Sequence, residues 1–371
     1  MFGELRSEGV RHKPLSRVAL RCGLAAGLLA CAAQAQMVSD VLAPYADRVE
    51  SAINRGLAYL ASIQSPEGYF DGAYGRAPAV VAFAGMAFLA QGHTPGRGPY
   101  GENLNRCIDY ILSQQRDNGY LVAREGADRG MYSHNSAALF LCEVSGMVDA
   151  ARQARLDAAI SKALKLTLAA QNIAKPAGHA GGWRYDPGSG DSDMSLTGWG
   201  LMALRSARLN GARIPDDNIE RAIKYVLGMQ SGTGSFGYQG PADNINLTGA
   251  GVLCLELCGY HGTEQMQRAA DFIAKNFPGI AGSSFESYAL YYNSQAAFQI
   301  GGTLWQEFAG WMYQRYLPLQ QPDGAWRERP GTWMSGQDQG TAYPTAMRIL
   351  AFAVPYRQLP IYARDETVDE E

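Results

Sequence analysis

Helical segments of two kinds alternate along the chain. Segments of the first kind place apolar residues at helical spacing with charged residues between them, as in VESAINRGLAYLASIQ at 49–64 and IERAIKYVLGMQ at 219–230. Segments of the second kind are rich in small residues and apolar almost throughout, as in AVVAFAGMAFLA at 79–90 and NLTGAGVLCLELCG at 246–259. A helix that is apolar on all sides must be buried on all sides. The pattern therefore predicts pairs made of one half-exposed and one buried helix.

A short motif, Gln-x3-Gly-x-aromatic, separates the two helices of a pair. It reads QSPEGYF at 64–70, QSGTGSF at 230–236 and QQPDGAW at 320–326. In QRDNGYL at 115–121 the aromatic residue moves to Tyr120, and a fifth copy keeps Gly-Gly-Trp at 181–183 after an insertion that follows Gln171. Five copies at irregular spacing indicate an internal repeat whose unit is helix, turn, helix.

A sixth pair of helical segments at 264–301 lacks the motif, so the chain contains six predicted hairpins. We predict an all-α fold, an (α/α)6 barrel with the buried helices forming an inner ring. An open solenoid is the alternative, but open stacks have a more uniform period and polar capping repeats. The predicted hairpins span 46–92, 100–148, 152–210, 216–260, 264–301 and 302–354.

The repeated motif resembles the QW-type repeat of squalene–hopene and oxidosqualene cyclases, whose barrel architecture is shared by protein prenyltransferase β subunits. The segments YALYYNSQAAFQIGGTLWQEF and PYRQLPIYAR resemble exported bacterial proteins described as squalene-cyclase-like or prenyltransferase-repeat proteins. The resemblance covers about residues 46–364 and implies the same toroid. It also implies that Gln320 and Trp326, with their counterparts, tie neighbouring repeats together on the outside of the ring.

The resemblance suggests candidate catalytic acids. In class II terpene cyclases a DxDDTA segment opens an inner helix, and its middle Asp protonates the polyene. DSDMSLTGW aligns with it so that Asp191 and Asp193 match the first two acidic positions, with Asp193 as the proton donor and Met194 in place of the third Asp. The structural alternative is that one of these carboxylates caps the helix that follows.

Neither a metal nor a cofactor is expected. The prenyltransferase resemblance would require zinc held by an Asp, a Cys and a His, yet none of the five histidines has metal-ligand spacing. The thioester of complement-like barrels needs a Cys before Gly-Glu-Gln, and the nearest string, HGTEQ at 261–265, has none.

The inner helices of such a ring begin on one face, where their free N–H groups and positive dipole ends converge. We predict the cavity mouth there. On the fifth inner helix, tyrosine and glutamine follow one helical stripe, and such buried polar groups either find partners inside the barrel or line a ligand site. His134, at the start of the second inner helix, is either a core residue with satisfied hydrogen bonds or a base. The predicted ligand-binding residues are Tyr132, His134, Trp199, Asn246, Tyr288, Tyr291, Tyr292, Gln295 and Tyr343.

The N-terminus differs from the rest of the chain. Basic residues precede the uncharged run CGLAAGLLACAAQAQ, which is typical of a signal peptide cleaved after Ala35. Lipid attachment at Cys31 is the alternative. We predict a signal peptide at 1–35, a linker at 36–45, a single barrel domain at 46–363 and a disordered acidic tail at 364–371, with the protein exported to the periplasm or cell envelope.

Charge and cysteine content narrow the partners. Without residues 1–35 the chain has 27 basic and 33 acidic residues, a net charge of −6, and no basic stripe. Nucleic acid is therefore not an expected partner, nor is an anionic membrane surface. No transmembrane segment is expected after residue 35. The remaining cysteines are predicted to be buried thiols, although export would permit disulfides; they are Cys107, Cys142, Cys254 and Cys258.

The sequence predicts an exported barrel that binds a small molecule, a peptide, a glycan or an envelope protein at the face where the inner helices begin. The alternative is an enzyme that acts on a terpenoid or prenyl substrate, followed by a glycan-cleaving enzyme. Asp191 and Asp193 distinguish these hypotheses, because a catalytic acid must reach a concave pocket. An apolar cavity would favour the terpenoid class, and a shallow polar cleft the glycan class.

Overall fold

The computed structural model describes residues 42–332, 340–356 and 359. The predicted signal peptide, Cys31 and the acidic tail lie outside these ranges. Within them the chain forms twelve α-helices and no strands. They are α1 Ala46–Ile63, α2 Pro78–Leu89, α3 Gly101–Gln114, α4 Met131–Glu143, α5 Ala150–Gln171, α6 Met194–Leu209, α7 Asp216–Gly228, α8 Ile245–Glu256, α9 Glu264–Asn276, α10 Glu286–Ile300, α11 Gly302–Tyr316 and α12 Ala342–Phe352.

The even-numbered helices form a closed inner ring. Each packs against the next even-numbered helix in chain order, and α12 packs against α2. The odd-numbered helices lie outside and pack on the inner ones. This arrangement is the predicted all-α (α/α)6 barrel, and its closure excludes the open solenoid.

Burial follows the two hydrophobic patterns. All twelve residues of α2 are buried, whereas α1 buries only a stripe that repeats at helical spacing and includes Val49, Ile53, Leu57 and Leu60. Small residues let the inner helices approach closely. A Cβ at Gly249 on α8 would lie 2.5 Å from the backbone nitrogen of Asn293 on α10.

The motif glutamines join each repeat to the next. Gln320 Nε2 donates to Gly324 O at 2.9 Å in its own turn and to Ala52 O at 2.8 Å in α1, which closes the ring. The other four motif glutamines also donate both to their own glycine carbonyl and to a carbonyl of the next outer helix. Those second acceptors are Asn103 O for Gln64, Ala159 O for Gln115, Asn218 O for Gln171 and Gln265 O for Gln230.

The motif glycines are required at these joints for two reasons. Gly234 has φ +94°, a conformation that L side chains rarely adopt, and a Cβ there would lie 2.3 Å from Arg268 O on α9. The same two conditions hold at Gly68, Gly119, Gly181 and Gly324. The joint between the fifth and sixth hairpins lacks the motif and is held by aromatic packing, with the ring of Phe277 lying 5.6 Å from Phe308 and 5.2 Å from Trp311.

Two further predictions concern membranes and thiols. No helix in the described ranges is both long and apolar enough to cross a membrane. The four cysteines at 107, 142, 254 and 258 are unpaired. Burial raises the pKa of the Cys107 and Cys142 thiols to about 12, so both are unreactive as nucleophiles.

Candidate functional site

A cavity of about 540 Å³ opens where the inner helices begin. This volume lies within the usual range of small-molecule sites, ~300–1,000 Å³. The second residue of an inner helix contributes to its wall in five of the six hairpins, because the first turns of the helices converge there. These five residues are Ala79, Tyr132, Ser195, Asn246 and Tyr343.

The segments that connect each motif to its inner helix complete the wall. The position two residues after the motif aromatic residue lines the cavity in three repeats, as Tyr185, Tyr238 and Glu328. Tyr74 and Phe285 come from other connecting segments. The lining surface is predominantly apolar and rich in aromatic rings.

Directly beneath the cavity lies a cluster of aromatic rings around the fully buried Trp199, and we call this underlying layer the cavity floor. The Trp199 ring stacks on Tyr291 with centroids 5.9 Å apart and planes 4° apart, and it contacts Tyr292 at 5.3 Å and Phe83 at 5.0 Å. Trp199, Tyr291 and Tyr292 therefore pack beneath the cavity and are not among its lining residues. Gln295 lies one turn further along α10, buried at 2% exposure.

Hydroxyl groups from three inner helices meet above this floor. Ser195 Oγ on α6 lies 3.1 Å from the Tyr132 hydroxyl on α4 and 2.9 Å from the Tyr288 hydroxyl on α10. Tyr132 and Tyr288 line the cavity while their hydroxyls are engaged within the barrel. Burial raises the pKa of both phenols, so both stay protonated.

Asp193 caps helix α6. Its Oδ1 accepts the N–H of Leu196 at 2.9 Å, and its Oδ2 accepts a hydrogen bond from Arg184 Nη1 at 2.6 Å. The side chain is fully buried. Burial raises the pKa of the carboxyl group, while the Leu196 N–H and Arg184 oppose that rise.

Asp191 shares the same arginine. Its Oδ2 lies 3.2 Å from Arg184 Nε and accepts a hydrogen bond from Gln239 at 3.0 Å. Neither Asp191 nor Asp193 is among the residues that line the cavity. The geometry shows the capping alternative for Asp193. A proton-donor role for Asp193 stays a prediction, and the position of the carboxylates does not support it, because neither Asp191 nor Asp193 lines the cavity.

His134 replaces a threonine that three other repeats use. Thr197, Thr248 and Thr345 are the fourth residues of their inner helices, and each hydroxyl accepts the N–H of the motif aromatic residue. In the second repeat, the N–H of Leu121 donates to His134 Nδ1 at 3.2 Å.

The other ring nitrogen of His134 lies 3.0 Å from Thr167 Oγ1 and 3.2 Å from Ala163 O. Burial lowers the pKa of His134 to about 4, so the ring is neutral near pH 7. Both nitrogens are engaged away from the cavity. His134 therefore holds the repeat together, as the core alternative described.

Asn246 and Tyr343 lie in the cavity wall. The Asn246 Oδ1 has no hydrogen-bond partner in the described part of the chain, and the Tyr343 ring meets Phe83 edge to face with centroids 5.8 Å apart. Of the nine predicted ligand-binding residues, Tyr132, Asn246, Tyr288 and Tyr343 are brought together here. The other five lie in the floor or deeper in the barrel.

Sequence reasoning missed Glu328. Its side chain is only 3% exposed and lines the cavity, and its Oε2 has no hydrogen-bond partner among the described residues. The Oε1 lies 3.9 Å from Nη1 of the buried Arg348. The available signal was position, since Glu328 follows Trp326 by two residues as Tyr185 follows Trp183.

The described residues hold no group of three or more His, Cys, Asp or Glu side chains that could bind a metal ion. The candidate site is built from aromatic and aliphatic residues, small polar residues, one arginine and one buried carboxylate.

Comparisons with solved structures support the fold. The apo structure of the type II terpene cyclase MstE from Scytonema covers 84% of this chain and 99% of its own, with a TM-score of 0.52 and 16% identity. A variant of that cyclase in complex with its substrate, geranylgeranyl dihydroxybenzoate, covers 86% and 100%, with a TM-score of 0.53 and 14% identity. A glycosidase variant covers 85% and 98%, with a TM-score of 0.52 and 13% identity.

These identities show the fold alone, and the chain has a terpene-cyclase-like α/α toroid. No protein-family model matches the chain, and no curated protein matches it.

Proposed function

We propose that this protein binds a small, largely apolar molecule of the terpenoid class in the cavity where its inner helices begin. The observation that carries this proposal is the cavity itself, with its predominantly apolar, aromatic-rich lining. Burial of hydrocarbon against such a surface supplies binding free energy without requiring paired polar groups.

A glycan-cleaving function receives less support. Most glycosidases act with two carboxyl groups that flank the scissile bond. Within the ranges that the structure describes, Glu328 is the one carboxylate that lines the cavity. A polyhydroxylated ligand would also leave most of its hydroxyl groups facing apolar side chains, where the lost hydrogen bonds to water would not be replaced.

Binding is favoured over cyclisation because neither of the two candidate acids, Asp191 and Asp193, lines the cavity. Protonating an alkene needs a strong acid that contacts the substrate, and Asp193 is a helix cap paired with Arg184 outside the cavity. MstE binds geranylgeranyl dihydroxybenzoate. We extend to this chain the isoprenoid class of ligand and neither that substrate nor its reaction. With the signal peptide predicted at 1–35, such binding would take place in the periplasm or cell envelope.

The test uses the fifteen-carbon prenyl alcohol farnesol as its probe. We expect one farnesol per chain by isothermal titration calorimetry, with quenching of tryptophan emission because Trp199 lies in the cavity floor. The Ala79→Phe change places a ring in the cavity and should weaken farnesol binding by about tenfold or more. The matched control, Ala158→Phe, adds the same ring to an exposed position on α5 and should leave the affinity unchanged.

Cellohexaose serves as the glycan probe in the same assay. Binding of cellohexaose together with failure of farnesol to bind would overturn the terpenoid proposal in favour of the glycan class. Farnesol binding that Ala79→Phe does not weaken would place the ligand elsewhere and would equally contradict it.

A further inference from the structure

The carboxylate of Glu328 is a charged feature of the cavity that packing does not explain. Its side chain is 3% exposed, and its Oε2 has no hydrogen-bond partner in the described ranges. Leaving a buried acceptor unpaired is costly, more so when it is charged. Glu328 lines the cavity, so a bound molecule can supply the missing donor.

The surroundings of Glu328 determine what charge that donor should carry. Arg348 is 1% exposed, and its Nη1 lies 3.9 Å from Glu328 Oε1 and also donates to Ser287 Oγ. The guanidinium therefore already balances the carboxylate. Arg129, an exposed residue, adds a second positive group at the edge of the cavity. An ammonium head on the ligand would leave the buried region with excess positive charge, and an anionic head would face Glu328 directly.

Neighbouring polar atoms support the same chemistry. The Asn246 Oδ1 in the cavity wall is likewise without a partner in the part of the chain that the structure describes. Glu328 Oε2 and Asn246 Oδ1 thus offer acceptor oxygens in the polar part of the cavity, and Arg348 balances the charge of the carboxylate.

We propose that Glu328 recognises a neutral hydroxyl group on the ligand, so that the protein selects a prenyl or terpenoid alcohol. This inference rests on the proposed terpenoid binding and adds the head group that the cavity takes. The hydroxyl donates to Glu328 Oε2 while the hydrocarbon packs among the aromatic rings.

Three matched probes test the head group on the wild-type protein by calorimetry at pH 7. They are farnesol, farnesyl methyl ether, which has no donor, and farnesylamine, which is cationic. Because a hydrogen bond to a charged acceptor is among the stronger ones, farnesol should bind about tenfold or more tightly than the ether. Farnesylamine should bind no more tightly than farnesol.

Substitution of Glu328 then locates the selectivity. Glu328→Gln keeps the volume of the side chain but removes its charge, and it should lower the ratio of alcohol to ether affinity by about threefold or more. The matched control, Glu220→Gln, changes an exposed carboxylate on α7 and should leave the ratio as in the wild type.

The outcomes separate the two proposals. Equal affinities for farnesol and its methyl ether would overturn the inference while leaving terpenoid binding intact. Tightest binding of farnesylamine would overturn it in favour of a cationic head group. An unchanged ratio in Glu328→Gln would exclude Glu328 as the recognition residue. Failure of all three probes to bind the wild type would instead overturn the proposed function.

Discussion

Trp326 and Glu328 are two residues apart and belong to different parts of the molecule. Trp326 is fully buried at an outer joint, where its indole N–H donates to Tyr316 O at 3.0 Å and its ring meets Phe352 edge to face. Glu328 lines the cavity, and its Oε2 has no hydrogen-bond partner among the residues that the structure describes. One connecting segment therefore serves both the joint and the site.

The two regions differ in how much they vary between repeats. At the joints, the glutamine and glycine geometry recurs five times with nearly the same hydrogen bonds. Two residues after the motif's last position, the side chains have little in common. They are Gly72, Ala123, Tyr185, Tyr238 and Glu328. Each joint packs against a similar outer helix, whereas the cavity wall is free to be shaped to a ligand.

The largest expected effect comes from separating the two roles within this one segment. Trp326→Ala should lower the free energy of unfolding by roughly 3–5 kcal/mol, because it removes a fully buried indole from the closing joint. Glu328→Gln should cost less than half as much and should change ligand selectivity instead. Urea denaturation and calorimetric binding measure the two properties. A Trp326→Ala protein that kept its stability but lost the ligand would contradict the division.

Two glycines in the fourth motif allow a matched test of the joint. Gly234→Ala should lower the free energy of unfolding by roughly 2–4 kcal/mol, since it combines strain at positive φ with a clash against Arg268 O. Gly232 lies in the same turn with no atom within 4 Å of an added Cβ, so Gly232→Ala should change stability by less than ~0.5 kcal/mol. Equal losses of stability in the two variants, measured by thermal or urea denaturation, would show that the geometry of the joint does not require Gly234.

The smallest expected effect decides to which region His134 belongs. Burial lowers the pKa of His134 to about 4 in the folded protein, below the unfolded value of ~6.5. As the pH falls, this histidine is therefore protonated in the unfolded chain before it is protonated in the folded protein. The stability that neutral His134 contributes is present above pH ~6.5 and is lost as the pH falls toward 4. Between pH 7 and pH 5 this one residue should remove about 2 kcal/mol of stability.

His134→Thr restores the residue type that the other repeats use at this position, and it should flatten that part of the pH dependence. The measurement is the free energy of unfolding of both proteins at pH 7 and pH 5. Farnesol binding should be unchanged, because His134 does not line the cavity. If the variant kept the full pH dependence of the free energy of unfolding but no longer bound farnesol, His134 would belong to the ligand site.

Much of the fold was predictable because it follows from local patterns. The amphipathic pattern at 49–64 matches the helix Ala46–Ile63, and the uniformly apolar run at 79–90 coincides with a fully buried inner helix. The cavity face was also predictable, since helices that alternate in direction around a ring must begin their inner members on one side. The second residues of those helices, such as Tyr132 and Asn246, line the cavity for that reason.

The assignment of individual side chains was less predictable. Tyr288, Tyr291 and Tyr292 share a helical stripe, yet only Tyr288 faces the cavity, because Trp199 from another helix covers the other two. Asp193 fits the sequence pattern of a catalytic acid, but Arg184, nine residues earlier, donates a hydrogen bond to its carboxylate. Such partners come from other segments, and periodicity along one helix carries no information about them.

QQPDGAW and its copies indicated the repeat architecture from the sequence, because a turn that packs against a similar neighbour keeps its glutamine and glycine in five of the six repeats. The tertiary structure decided where the chemistry lies. It left Glu328 Oε2 in the cavity without a hydrogen-bond partner among the described residues, and it gave the Asp193 carboxylate two partners. A buried carboxylate is paired only if folding brings a donor within hydrogen-bond distance, and periodicity along the sequence does not show which donors arrive there.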